Sequence, residues 1–319
     1  MKKGVVLGID IGGTYTKLGL VDSSGQILNS TTFKTGAKGA FADFFQRLQI
    51  EIEALQSQKK TDQELMGIGV GAPNANPYSG AMENPPNFRW GTIVPLAASL
   101  KEVYRVPIAL ANDANASAVG ELEFGLGKEM KNFVVLTLGT GLGSGIISNG
   151  NLLIGQHGMA GELGHVNVDS SPNARQCNCG LQGCLETYVS VTGIRRTIFE
   201  LIAEMRDDSS LRRISFDDMT GELISDAALQ GDPIALKAFK QTAETLGVQM
   251  ADTAAHLDPE AFILLGGLSK AGEILVTPTV RSMEQHLFEA YRGKVKVLIS
   301  DSPGNNSVLG PAALAWRKL

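Results

Sequence analysis

Cysteine is almost absent from this chain: 319 residues contain three, and all fall between positions 177 and 184. An odd, crowded set makes a poor disulfide framework, and in a reducing compartment such a cluster points to metal binding instead. An excess of positive charge is also missing. With 28 Lys+Arg against 33 Asp+Glu and a formal net charge of −5, there is no basic stripe to hold a phosphate backbone, so nucleic acid is not expected as a partner. Long apolar runs are lacking too. The opening MKKGVVLGIDIGGT has two lysines and a short apolar stretch, but glycines and polar residues interrupt it before a signal-peptide core or a membrane span could form. A cytoplasmic protein with no membrane partner is expected. Neither GxxxxGK[ST] nor a strand-linked GxGxxG occurs, so neither a P-loop nor a dinucleotide-binding fold is supported.

The length suits two domains, and a hydrophobic fraction of 43% can fill substantial cores. Residues 4–22 read as two apolar β-rich runs joined by IGGT, with a third strand over 25–35 completing a meander. A helix is expected from Phe41, then short strands in MGIGVGAP and VPIALAND. FVVLTLGTGLGSGIISNG at 133–150 repeats the opening arrangement, two apolar runs around a glycine-rich turn, and is followed by a strand at NLLIG. A long amphipathic helix over 234–257, strands at AFILLGG and VKVLISD, and a helix in the last residues close the chain. Two similar halves facing each other across a cleft are expected from the repeat. Glycines at Gly12, Gly13, Gly139, Gly141 and Gly143 are expected at positive φ, bringing backbone N–H groups against a ligand. Thr14 and Thr140 add hydroxyl donors. One such turn reads as a plain hairpin; two in register, one preceded by Asp10, favour phosphate binding.

DIGGT at 10–14, LGTGLGSG at 138–145, ILLGG at 263–267 and CNCGLQGCLE after GELGH together resemble the ROK family of sugar kinases and repressors over essentially the whole chain. The resemblance implies an α/β protein with the actin-like (ribonuclease-H-like) ATPase fold, two domains around a cleft. Residues 1–113 with 302–319 are expected as the smaller domain and 114–301 as the larger. Its bacterial glucokinases imply ATP-dependent phosphorylation of a hexose, first of all glucose at the 6-hydroxyl, with magnesium alongside ATP. Fructose, mannose or an N-acetylated hexosamine stands as the alternative substrate, and a non-catalytic sugar-binding regulator stands behind those. With DIGGT starting at Asp10, a preceding DNA-binding helix-turn-helix is not expected. A homodimer or higher homo-oligomer is.

By the same resemblance His165, Cys177, Cys179 and Cys184 are zinc ligands, and three thiolates with an imidazole suit a closed, structural tetrahedral site. Incidental buried cysteines would leave Gly180 and Gly183 unexplained. Asp113, between a strand-like and a helix-like stretch, reads equally as a general base or as a helix N-cap; the resemblance implies the base. It gives Asp10 the metal-bound phosphates, Gly266 and Gly267 the adenosine, and Gly71, Asn87, Asn112, Asp113, Glu162, His165 and Glu186 the sugar. Many members carry glycine where Asn74 stands. Because the glycine turns lie far from the cysteines in sequence, loss of zinc is expected to weaken sugar binding much more than nucleotide binding.

Overall fold

The computed structural model describes residues 2–300 and 307–319; Met1 and residues 302–306, which the sequence reading assigns to the smaller domain, lie outside the described residues. β1 (Lys3–Ile11), β2 (Tyr15–Asp22) and β3 (Ile27–Lys34) form the expected antiparallel meander. α1 (Phe41–Ser57) buries Phe44, Leu48, Ile52 and Leu55, one apolar stripe at helical spacing. β4 (Gln63–Gly71) then pairs parallel with β1. Three short strands, β5 (Ala75–Asn76), β6 (Ala81–Glu83) and β7 (Ile93–Val94), make a separate ribbon. After α2 (Leu96–Val103), β8 (Ile108–Ala111) joins β4 in parallel, and α3 (Asp113–Phe124) starts directly beyond it.

The second half runs β9 (Phe133–Leu138), β10 (Leu142–Ser148) and β11 (Asn151–Leu152), then α4 (Glu186–Val189), α5 (Val191–Glu204), α6 (Gly221–Leu229) and α7 (Pro233–Leu257). β12 (Ala261–Leu265), α8 (Glu273–His286), β13 (Lys296–Ile299) and α9 (Leu309–Lys318) complete it. The two five-stranded sheets have orders β3-β2-β1-β4-β8 and β11-β10-β9-β12-β13. Counted along the chain, each is third-second-first-fourth-fifth, so the repeat read in the two glycine turns extends to a whole sheet topology. Two compact units can be separated, Met1–Met130 with Gly145–Gly161 and Asp301–Leu319, and Lys131–Ser144 with Glu162–Ser300. Among the described residues no helix is long and apolar enough to cross a membrane.

In the first unit, β1 is buried on both faces, which is why it reads as a nearly continuous apolar run. Leu7, Ile9 and Ile11 join the core under α1, while Val6 packs with Leu309, Ala312 and Ala315 of α9. The α9 face also carries Gly8 and Gly69. A Cβ at Gly69 would fall 1.7 Å from the Pro311 carbonyl oxygen, and one at Gly8 would fall 2.2 Å from that of Val308. Both glycines are thus set by the closeness of helix to sheet.

Candidate functional site

Strand register gathers the sequence-predicted residues of the first unit at one end of its sheet. Asp10 pairs with Gly71, and Gly71 with Ala111, so the carboxyl ends of β1, β4 and β8 stand level. Ligand sites of parallel sheets form at such ends. Asn112 and Asp113 follow at once. The cap of α3 is Asn112, whose Oδ1 accepts from Ala114 N at 2.8 Å and Asn115 N at 3.3 Å. Asp113 is the first helical residue, and one of its carboxylate oxygens accepts from Ala114 N at 2.8 Å. The N-cap job that Asp113 could have held therefore falls to its neighbour.

Asp113 keeps solvent-accessible surface, yet surrounding protein strips water from the carboxyl and pushes it above the ordinary carboxylate range, against the backbone N–H groups that hold it down. Burial likewise pushes Asp10 up to about 6. The Ser307 hydroxyl counters this, although it lies outside hydrogen-bond geometry; the charge of Asp113 adds to the rise and Lys17 opposes it. Two carboxyls thus sense each other at the strand ends.

The raised Asp10 carboxyl bears on stability. Between pH 3.8 and about 6 the folded chain binds the proton more tightly than the unfolded chain does, so folding stability falls as pH rises through that window, and the penalty is complete above it. Asp10→Asn is expected to raise the thermal unfolding midpoint at pH 7.5, by an amount equivalent to about 1–3 kcal/mol. It should raise it by nothing below about pH 4. Calorimetric scans of both proteins, free of nucleotide and divalent cation, check this; coincident midpoints at pH 7.5 would remove the penalty.

The first glycine turn is closed by Gly12 N–H donating to Tyr15 O at 3.0 Å. Thr35, which sequence reasoning missed, braces it: its N–H donates to Thr14 O at 2.9 Å, and its hydroxyl donates to Gly12 O at 2.7 Å. A lone threonine after a strand carries no signal of that in sequence. The positive φ expected for Gly12, Gly13, Gly139, Gly141 and Gly143 is corrected by the structure, since none of them lies in that region. Gly13 and Gly139 instead have open space where a Cβ would project, with nothing nearer than 4.0 Å, a cradle that a ligand can fill. Thr14 and Thr140 are exposed beside these turns.

Asn74 and Asn87 stand at φ 51 and 67. Asparagine tolerates this left-handed region better than other side-chain-bearing residues, so Asn74 holds the backbone shape for which glycine is used elsewhere. Its Nδ2 also donates to Asn84 O at 3.1 Å. Asn87 is exposed on its turn.

In the second unit the four predicted metal ligands converge. The ligand atoms of His165, Cys177, Cys179 and Cys184 all lie within 4.8 Å of one another. Nδ1 of His165 is 3.8 Å from Cys177 Sγ, and the sulfurs of Cys179 and Cys184 are 3.7 Å apart. A tetrahedral zinc with Zn–S near 2.3 Å places its sulfurs about 3.8 Å apart, whereas a disulfide needs about 2.05 Å; the geometry fits the ion. A small hairpin makes this possible, with Cys177 N–H donating to Leu181 O at 2.8 Å. Gly183 is at φ 74, and a Cβ there would strike the Asp169 carbonyl oxygen at 1.9 Å, so only glycine serves.

Around the cluster, Glu162 is exposed and opens the 3-10 turn Leu163–His165, while Glu186 begins α4, partly buried. Glu186 Oε2 accepts from Leu142 N at 2.9 Å, at the second glycine turn. That turn is closed by Gly139 N–H donating to Gly141 O at 3.1 Å, and Val191 at the start of α5 donates to Gly139 O at 2.9 Å. The Thr192 hydroxyl donates to Thr140 O at 2.8 Å. Gly266, at φ 101, ends β12 against the last residue of β9: a Cβ there would lie 2.5 Å from Leu138 O. Gly267 follows it into a 3-10 turn.

With this geometry in hand, comparison with known proteins is specific. A family model described as the ROK family matches residues 6–318. The glucokinase of Halalkalibacterium halodurans is 37% identical over 290 residues, 89% of this chain and 85% of that protein. Among solved structures, a ROK family glucokinase from Streptomyces griseus in complex with glucose and AMPPNP is 32% identical, with a TM-score of 0.83 over 98% of this chain and all (100%) of that one. A ROK family transcriptional regulator, a homologue of the E. coli MLC protein, is 27% identical with a TM-score of 0.87, covering 98% of this chain and 77% of the regulator.

Proposed function

This chain belongs to the ROK family, and on that premise we propose that it is an ATP-dependent hexose kinase whose substrate is glucose, phosphorylated at the 6-hydroxyl. Its fold is the actin-like ATPase fold of the sugar kinases it matches. The observation that carries the mechanistic reading is the level row of Asp10, Gly71 and Ala111 with Asp113 one turn-start beyond, both carboxyls pushed upward. Phosphoryl transfer needs a base for the acceptor hydroxyl, charge neutralisation on the phosphates, and alignment of both reactants.

Asp113 is the base. Its carboxyl, raised by burial, is a stronger proton acceptor than an ordinary aspartate. It takes the proton of the 6-hydroxyl as that oxygen bonds to the γ-phosphorus of ATP; the bond to the β–γ bridging oxygen breaks, and ADP departs with the electron pair. Asn112 and Gly71 flank the sugar on this unit. The glycine turns at 12–14 and 139–141 present backbone N–H groups to phosphate oxygens, and Gly266 and Gly267 adjoin the adenosine. Asp10 would hold a magnesium ion, which would neutralise phosphate charge. His165, Cys177, Cys179 and Cys184 would hold a zinc ion, and its role would be structural because four protein ligands would leave no open position.

A coupled ADP-release assay across glucose, fructose, mannose and N-acetylated hexosamines tests the substrate. Glucose should give the highest kcat/KM. The likeness to a regulator keeps one other reading in play: sugar binding by calorimetry with no ADP release from any sugar would make this chain a sensor instead.

A further inference from the structure

Leu142, the first residue of β10, is held on both sides by the cysteine knuckle. Its buried amide donates to Glu186 Oε2 at 2.9 Å. On the carbonyl side Gly164, the residue before His165, packs so near that a Cβ there would lie 2.4 Å from Leu142 O. Leu163 N–H donates to Ser144 Oγ at 3.1 Å beside it. Gly141 adds an independent sign. Its backbone is not in the left-handed region, so the turn itself does not demand glycine. A Cβ at Gly141 would instead meet Glu186 Oε2 at 2.4 Å: the carboxylate occupies the place a side chain would take. The other oxygen of Glu186 faces Cys177 Sγ at 3.9 Å.

We infer that Glu186 is a positioning residue for the nucleotide, fixing the turn at 139–142 to the metal knuckle through the Leu142 amide and the vacant side of Gly141. A hydrogen bond from an amide to a carboxylate is stronger than one to a neutral acceptor, and it sets which way the N–H groups of the turn face. The inference rests on the proposed reading of this turn as phosphate-binding.

Amide exchange at Leu142 and calorimetry with AMPPNP, on metal-quantified protein, provide the test. Glu186→Ala should speed exchange at Leu142 and weaken AMPPNP about tenfold, the scale of one lost charge-assisted bond, while Glu186→Gln, which still offers an acceptor, should restore most of both. Gly141→Ala should weaken AMPPNP similarly, by pushing the carboxylate aside. In the Glu186→Ala background it should add nothing, since the space is then free; this non-additivity is what a merely stabilising Glu186 would not produce. If Glu186→Ala does not fold, Gly141→Ala alone must still speed exchange at Leu142. Unchanged exchange, or a Gly141→Ala penalty that persists without Glu186, overturns the inference and leaves the phosphate-turn reading standing. Faster exchange with unchanged AMPPNP affinity sinks that reading and this inference together.

Discussion

Asp113→Asn is expected to lower kcat by about two or more orders of magnitude, with the affinity for glucose changed far less. Asparagine has the same shape and can still accept from Ala114 N, as the Asp113 carboxylate does at 2.8 Å, so α3 should start unaltered. The cap itself is safe because Asn112 provides it. What vanishes is the only function an amide cannot perform, taking a proton. The wild-type rate should carry an acid limb above the ordinary aspartate value of 3.8, since Asp113 is raised and Asp10 stands near 6. Two carboxyls that sense each other titrate as a pair, and the limb belongs to both. The part that Asp113 contributes should disappear from the residual rate of the variant, leaving the part that belongs to Asp10. Steady-state kinetics from pH 5 to 8 with glucose calorimetry alongside would check both statements, and near-normal turnover in folded Asp113→Asn would remove it from the mechanism.

Cys179→Ser should have the second large effect. Cys179 is the exposed member of the set, and serine keeps its size while giving up a thiolate ligand. Bound zinc should fall well below one per chain, and glucose should bind at least tenfold more weakly, because His165 and Glu162 lose the fixed loop they stand on. From sequence distance alone nucleotide binding should weaken much less than sugar binding. Glu186, two residues after Cys184, hydrogen-bonds the second glycine turn directly, so on the inference drawn above nucleotide affinity should fall as well. The rest of the fold should survive. Arg175 donates to Thr187 O at 2.9 Å, Gly193 O at 3.1 Å and Thr197 Oγ1 at 2.9 Å, and it lies 4.7 Å over the Tyr188 ring. Those bonds tie the cysteine loop to α4 and α5 without metal. Calorimetry of glucose and AMPPNP, with circular dichroism and metal analysis, decides it; unchanged glucose affinity in folded, zinc-free protein would refute the role given to the knuckle.

Sequence alone determined a good deal. The hairpin over 4–22, the helix from Phe41 and the long helix ending at Leu257 were legible because apolar residues recur there at the period of the element. The three cysteines of the candidate metal site were legible because cysteine occurs nowhere else, so composition itself drew them together, while His165 joined them through the family resemblance. Other elements were out of reach. β5, β6 and β7 have two or three residues each, too few for any period to show. α8 contains Pro278, a residue that reads as a break until neighbouring packing is seen to hold the helix.

Only tertiary structure could decide why particular residues are where they are. Asp10, Gly71 and Ala111 are far apart in the chain and become one row through parallel strand register, which depends on which strands pair and not on any local pattern. The separation of roles between Asn112 and Asp113 required the observed start of α3. The glycines at 69 and 141 look alike in sequence, yet the first admits the Pro311 carbonyl and the second the Glu186 carboxylate. Desolvation of Asp10 and Asp113 likewise arises from what the fold packs around them. A sequence names the groups that can carry charge, donate or bind metal; the distances and burial that set their chemistry come from long-range contacts, because electrostatic and steric interactions act through space.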